Sequence, residues 1–460
     1  MLRNFFTVAL RNLLKHKIFS FINIFGLALG IAASLLIVQY ARFELSYDRF
    51  EPGAGQIYRL QLDRYNNGKL STRWAAGATG LGPAVKDAFP EVESFARLRS
   101  NSAVVSYKDH EFRETKIYIT TDDFLRMFGY RTLAGAATGA LKDIGTAIMT
   151  ESTARKYFGS EDPIGKTIFL NKTDPYKVTA VVADPPTNTH LKFDILIPWA
   201  NLVHNAGPNV NTVWFWDGFF NYIRVRPGTD PALLEKKIAG MVHDKWGADM
   251  QKSHEGMVIH LQPLSDIHLY SHFMAEAEVN GDGNGVYFLL IIAVFIIVIA
   301  WINYINLATA RAIERAREVG VRKVLGSLRR QLIGQFLFES LLINVLAAVL
   351  AILIILGCLP LFNFITGHDL SFSLLKAADF WLMLAGLFLI GTLLSGGYPA
   401  FVLSSFKPVA VLKGRLSKTG HGVLLRQSLV VIQFVASVIL MVGTFAVYRN
   451  WILCSTRTWA

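Results

Sequence analysis

Residues 303–339 read NYINLATARAIERAREVGVRKVLGSLRRQLIGQFLFE and lie between two apolar runs. The bases Arg311, Arg315, Arg317, Arg322, Lys323, Arg329 and Arg330 meet only two acids before position 331, Glu314 and Glu318. Membrane-length runs on either side of a basic hairpin place that hairpin on the cytoplasmic side. Residues 308–319 lack Gly and Pro and are rich in Ala, Arg and Glu, so a helix is expected there. Glu314 and Glu318 share one face at i and i+4, and Arg311, Arg315 and Arg322 lie close to it. Gly320 and Gly326 then permit turns. Such a hairpin either sets orientation alone or also docks a soluble partner; a folded, mixed-charge helix suits docking.

Working outward, residues 286–307 and 337–361 are the flanking runs, and 18–42, 380–403 and 429–447 are further runs of membrane length. Glu339 sits near the inner end of the 337–361 run. An ionisable group there is costly in lipid, so it either pairs with an arginine of the basic loop or snorkels to the interface. Gly396, Gly397 and Pro399 are expected to break or bend the 380–403 helix. Gly26 and Gly30 form a GxxxG pattern that would let a neighbouring helix approach closely. Residues 1–17 repeat apolar side chains at helical spacing among Arg3, Arg11, Lys15 and Lys17, which reads as an amphipathic helix on an anionic inner leaflet.

At 52% hydrophobic residues the chain is too apolar for an ordinary soluble protein. The net charge of +12 invites a nucleic-acid reading, but its distribution argues against one. Segments 1–17, 306–332 and 404–428 hold 4, 7 and 5 Lys/Arg, whereas 44–285 holds 26 against 29 Asp/Glu. The excess is a topology signal rather than a phosphate-binding surface. Cys358 and Cys454 are the only cysteines, so neither a disulfide framework nor a Cys-rich metal site is available.

Residues 44–285 alternate strand and helix patterns, as an α+β domain of two lobes would. Strands are expected over 56–65, 103–107, 116–120, 146–150, 167–171, 176–182 and 219–225, and helices over 79–89, 151–158 and 231–245. Gly159 to Thr167 imitates a P-loop but has five residues between its glycines, carries Pro163 and two acids, and precedes a strand; it reads as a turn. No HExxH or GxSxG occurs. His254, His260, His268 and His272 form a loose group in an expected loop before the second membrane run, and scattered surface histidines are the preferred reading over a metal site.

The loop pattern is similar to that of the FtsX-like permeases of ABC transporters, the family that includes MacB and the lipoprotein-releasing permeases. Asn303, Asn306, Arg311, Glu318, Gly320 and Gly326 carry the resemblance. The run from Met149 to Trp199 resembles the MacB-type extracytoplasmic core, in which one lobe is inserted into the other. The resemblance implies an α-helical membrane bundle with a large α+β core domain inserted between helices 1 and 2. It also implies that Arg311, Glu314, Arg315, Arg317, Glu318, Gly320, Arg322, Lys323 and Gly326 couple to a separate ABC ATPase, with 404–428 as a second inner contact. ATP would be bound by that partner and no cofactor by this chain. The N-terminus would be cytoplasmic, in a bacterial inner membrane. An enzyme is not expected; a membrane-anchored sensor is the rival reading. Residues 429–447 look like the start of a second module, so a second module or permease copy is an expected partner. The stretch 451–460, WILCSTRTWA, replaces a polar segment typical of the family. One permitted spelling of its codons, read in a neighbouring register, gives that segment, so a shifted reading frame is expected over the tail.

Reporter-enzyme fusions test the charge reading. Fusion at Asp174 should report export and fusion at Ser327 cytoplasmic retention, and the reverse result at either site refutes the topology.

Overall fold

The structure, a computed structural model, describes residues 2–51, 53–136, 139–310, 319–367, 378–405 and 420–457. In chain order the elements begin with α1 (Leu2–Lys15), α2 (Lys17–Leu45), β1 (Ile57–Asn66), β2 (Lys69–Trp74), α3 (Leu81–Ala88), β3 (Val92–Tyr107) and β4 (His110–Thr120). They continue with α4 (Asp123–Met127), β5 (Thr132–Gly135), β6 (Thr146–Thr150), α5 (Glu151–Phe158), β7 (Thr167–Leu170), β8 (Asp174–Val182) and β9 (Ile195–Pro198). Next come α6 (Trp199–Ala206), β10 (Phe220–Val225), α7 (Pro231–Ser253), β11 (Glu255–Pro263) and α8 (Ile267–Tyr270). The last are α9 (Gly283–Ala310), α10 (Arg329–Thr366), α11 (Ala378–Ser405) and α12 (Gly420–Arg457). Two compact units result, residues 1–42 with 284–460, and residues 43–283.

In the helical unit, α2, α9, α10 and residues 427–445 of α12 are long and apolar enough to cross a membrane; in α11 the apolar stretch is shorter, Phe380–Leu394. Helix α10 has 38 residues, which at ~1.5 Å each is about 57 Å and nearly twice a bilayer's hydrocarbon thickness. Its first turns therefore continue beyond the apolar stretch. Of the expected break or bend, the break is absent: α11 runs as one helix through Gly396, Gly397 and Pro399. Proline removes one helical hydrogen bond, which packed neighbours tolerate. Gly396 instead allows a close approach, since a Cβ there would lie 2.8 Å from Ser340.

The 43–283 unit is built on one mixed sheet of 11 strands. Its central order is β11-β1-β10-β3-β4-β9-β6-β8-β5, with β2 on β1 and β7 bridging β3 and β8. Strands from 110–198 all lie beyond β3, so this half is inserted between β3 and β10 in sequence, yet it shares the same sheet. The pairs β4–β9 and β6–β8 are parallel. A core around Leu98, Tyr118, Phe124, Leu196 and Tyr222 spans both halves of the sheet. Separate clusters cover each half's other face, against α5 in the inserted half and α3 and α7 in the first.

Helix α5 starts where expected because Thr150 caps it, accepting a hydrogen bond from the Thr153 amide. Asp230 caps α7 in the same way, and α7 runs eight residues past the expected 245. The expected strands at 103–107 and 116–120 both belong to the longer β3–β4 hairpin but lie at opposite ends of it, 103–107 beside the turn against 110–114 and 117–120 against 98–101. Arg97 and Arg99 hide its near half from a hydropathy reading. Arg97 is buried, stacks on Trp199 at 4.0 Å and donates to the Thr79 carbonyl; burial pulls it down to about 10. Strand β11 occupies what was expected to be a histidine-bearing loop. His254 caps α7, His260 bonds Glu235, and His268 is buried, so these side chains do not converge. The preferred surface reading fails for His268, which is buried. No metal-holding group occurs among the described residues. The P-loop imitation is a turn between α5 and β7.

Glu51 is buried beside Gly129, which sits at φ +59 where a Cβ would lie 2.4 Å from the carboxylate. Burial pushes its carboxyl from 4.5 up to about 7, against the opposing pull of Arg224. Unfolding returns the pKa to its ordinary value, so the unfolded chain loses this proton first and stability falls as pH rises from 4.5 to 7. Glu51→Gln should leave the melting temperature of this unit unchanged at pH 4 and raise it at pH 8 by about 2–4 °C, the effect of ~1 kcal/mol in a domain of this size. Calorimetry of the full chain at the two pH values checks this.

Candidate coupling site

Helix α9 extends the second apolar run to Ala310, and residues 319–324 are helical before α10 begins at Arg329. Arg311, Glu314, Arg315, Arg317 and Glu318 lie outside the described residues. Gly320 was expected at a turn but lies within the 319–324 helical segment. The turn belongs to Gly326 alone, at φ +96. The Ser327 amide donates to the Arg322 carbonyl at 3.0 Å and the Gly326 amide to that of Lys323 at 3.1 Å, a Schellman closure. At the start of α10 the Leu328 amide donates to Gln331 Oε1 at 3.1 Å.

One side of this segment is anchored. Val319, Leu332 and Phe336 form a small buried cluster. Beside it runs a polar relay. Arg322 donates to Gln335 Oε1; Gln335 Nε2 donates to Glu339 Oε1 at 3.1 Å; and Asn12 Nδ2, on α1, donates to Glu339 Oε2 at 3.1 Å. Gln335 and Glu339 are both buried. Of the two sequence alternatives for Glu339, burial excludes snorkelling. The carboxylate reaches Arg322 through the amide of Gln335. Lys323 stands below the ordinary lysine range through partial burial and then the nearby Arg329.

The other side is exposed and apolar. Val321, Val324, Leu325 and Leu328 are 49%, 64%, 80% and 66% exposed. Val321, Val324 and Leu325 follow i, i+3, i+4 spacing at the end of the short helical segment, with Leu328 just past the Gly326 closure, and reading the loop for charge missed this apolar group. An apolar group bordered by Arg322, Lys323 and Arg329 is a surface suited to a protein partner.

Below the relay the helices are close-packed. Tyr304 and Ser340 hydroxyls lie 3.0 Å apart, joining α9 to α10. A Cβ on Gly30 would lie 2.6 Å from that of Ala300, and one on Gly26 3.6 Å from Asn303 Nδ2, so both face α9. Ser34 Oγ donates to the Ala293 carbonyl at 2.9 Å in the same contact.

Residues 20–241 match the MacB-like periplasmic core domain, and residues 290–408 match the FtsX-like permease C-terminal domain. The macrolide export ATP-binding/permease protein MacB of Pasteurella multocida is 22% identical over 426 residues, covering 88% of this chain and 60% of that protein. The protein of the same name from Bdellovibrio bacteriovorus is 25% identical over 272 residues, 58% of this chain and 38% of that one. The chain thus spans less than two thirds of these relatives. The crystal structure of the periplasmic region of MacB from Actinobacillus actinomycetemcomitans aligns over 45% of this chain and 89% of its own, with 15% identity and a TM-score of 0.32. With these two domain matches along its length, the chain belongs to the FtsX-like, MacB-type permeases.

Proposed function

We propose that this chain is the permease component of an ABC transporter, receiving ATP-driven motion from a separate cytoplasmic ATPase and passing it to the 43–283 core domain. The observation that carries this reading is the 319–328 segment, which presents an exposed apolar group on one side and is fixed by a buried relay on the other. A loop that only set orientation would need its charges and nothing more. Here Arg322, Gln335, Glu339 and Asn12 tie the exposed surface to α10 and α1, so a push on the apolar group is delivered to two helices at once.

ATP is bound and hydrolysed by the partner in this reading, and the chain contributes docking surface and linkage. In this reading Arg311, Glu314, Arg315, Arg317 and Glu318 also take part in the contact with the ATPase. The basic stretch 404–428 supplies a second inner contact, and a second permease copy or module completes the assembly. The positive segments support a topology with these loops on the cytoplasmic side of a bacterial inner membrane and residues 44–285 on the other side. The relatives' printed name, macrolide export, makes efflux of a macrolide the first transport activity to test.

Two substitutions separate docking from transmission. Leu325→Asp places a charge in the apolar group and should weaken co-purification with the partner ATPase about tenfold or more. Gln335→Leu leaves the apolar group intact and interrupts the relay; it should retain the ATPase while losing most of the stimulation of hydrolysis in lipid nanodiscs. Unchanged ATPase binding by the Leu325→Asp chain overturns the proposal.

A further inference from the structure

The chain enters the core domain at residue 43 and leaves it at 283, and both passages close on one histidine. His268 is 4% exposed, and its Nε2 meets Glu44 Oε2, itself 2% exposed, at 2.8 Å. The Tyr47 ring stacks flat on the same imidazole. From the outgoing side, the Gly281 amide donates to the His268 carbonyl at 2.8 Å. A Cβ at Gly281 would lie 2.7 Å from Glu44 Oε2 and 3.0 Å from His268 Nε2, so a larger residue there would have to displace these side chains.

The incoming passage then reaches the inserted half of the sheet before it reaches its own first strand. Asp48 takes a left-handed conformation, φ 55, which a non-glycine residue keeps only where its surroundings over-determine it. Its amide donates to the Asn188 carbonyl at 3.0 Å. Its buried carboxylate accepts from Thr189 Oγ1 at 2.6 Å and from the His190 amide at 3.2 Å, and meets His190 Nδ1 at 2.8 Å. Asn188 Nδ2 donates back to the Ser46 carbonyl at 3.1 Å. On the far side of the ring, His190 Nε2 lies 2.8 Å from the Tyr222 hydroxyl of β10. The outgoing passage is held as firmly, with Glu276 paired to the fully buried Arg59 of β1 at 2.6 Å and Glu278 to Lys116 of β4 at 3.2 Å.

We propose that Glu44, Tyr47, Asp48, His190, His268 and Gly281 form a transmission lock that makes the two passages move as one and delivers their motion to residues 188–190 of the inserted half. The proposal rests on the coupling reading above, because α2 and α9 are the helices that lead into these passages. A buried carboxylate cannot drift from its donor without leaving an uncompensated charge, so neither passage shifts alone. Glu44, Tyr47 and Asp48 are positioning residues, acting through His268 and His190 on the rest of the domain.

Hydrogen exchange on the full chain in lipid nanodiscs, with no ATPase present, tests the lock. Glu44→Ala should raise exchange about tenfold or more at the amides of Gly281, Asp48 and His190, leaving β6 and β8 unchanged. Glu44→Gln, which still accepts from the imidazole, should restore wild-type protection. Glu44→Ala combined with His268→Ala should add nothing to either single change. If the Glu44→Ala chain does not fold, Tyr47→Leu removes only the stacked ring and is read at the same amides. Faster exchange confined to 268–283, or a Glu44→Gln chain as labile as Glu44→Ala, overturns the lock. Failure of an ATPase to bind would sink the coupling reading while leaving this result to decide the lock by itself.

Discussion

A carboxylate removed from water must be met by fixed donors, and the architecture of this chain follows from where it meets that requirement. Glu339 gathers amides from α10 and α1. Asp48 gathers a hydroxyl, an amide and an imidazole from the inserted half of the core domain. Glu114 on β4 accepts from Lys156 and Tyr157 on α5, each at 2.7 Å, and burial with that contact raises the Tyr157 hydroxyl. Removing one partner from such a contact costs roughly 3–5 kcal/mol, more than a typical apolar contact of the same size. These sites specify which segments meet; the apolar clusters around them supply the bulk of the burial.

Much of the fold could be read from the chain. Long apolar runs have no soluble alternative, so α2, α9 and α10 were legible from length alone. Helix α5 and strands β6, β7 and β8 were legible because capping by Thr150 and alternation of apolar residues agree there. The strands that escaped share a physical cause. In β2 and β11, which flank β1, polar side chains such as Lys69, Arg73, Glu255 and His260 mask the alternation. Strand β9 is four residues long and buried on both faces, so it shows no alternation. Near-end β3 carries Arg97, whose cation is accommodated by an aromatic ring that only the fold brings alongside.

The basic loop between α9 and α10 was legible as a position and less so in its packing. Charge located it, and charge drew attention from the apolar group at 321, 324, 325 and 328, although the helical spacing of its first three members was present in the sequence. The relay was beyond reach. Gln335 and Asn12 are neutral amides with no compositional signal, and the Asn12–Glu339 contact joins positions 327 residues apart. Periodicity reports which face of a helix is buried and says nothing of which distant side chain will meet it.

The closure of both passages on His268 also bears on how such a protein arises and folds. A domain whose first and last segments bond the same histidine can be inserted into an existing connection without prising its flanking segments apart. The entropic cost of a connection grows only with the logarithm of its length, so some 240 residues between two helices cost little more than a few dozen. Closure at the base removes even that dependence once the domain has folded, since the two helices then see a short bridge. Helical hairpin and inserted domain can therefore acquire structure in either order, and sequence drift in one leaves the joining geometry of the other intact.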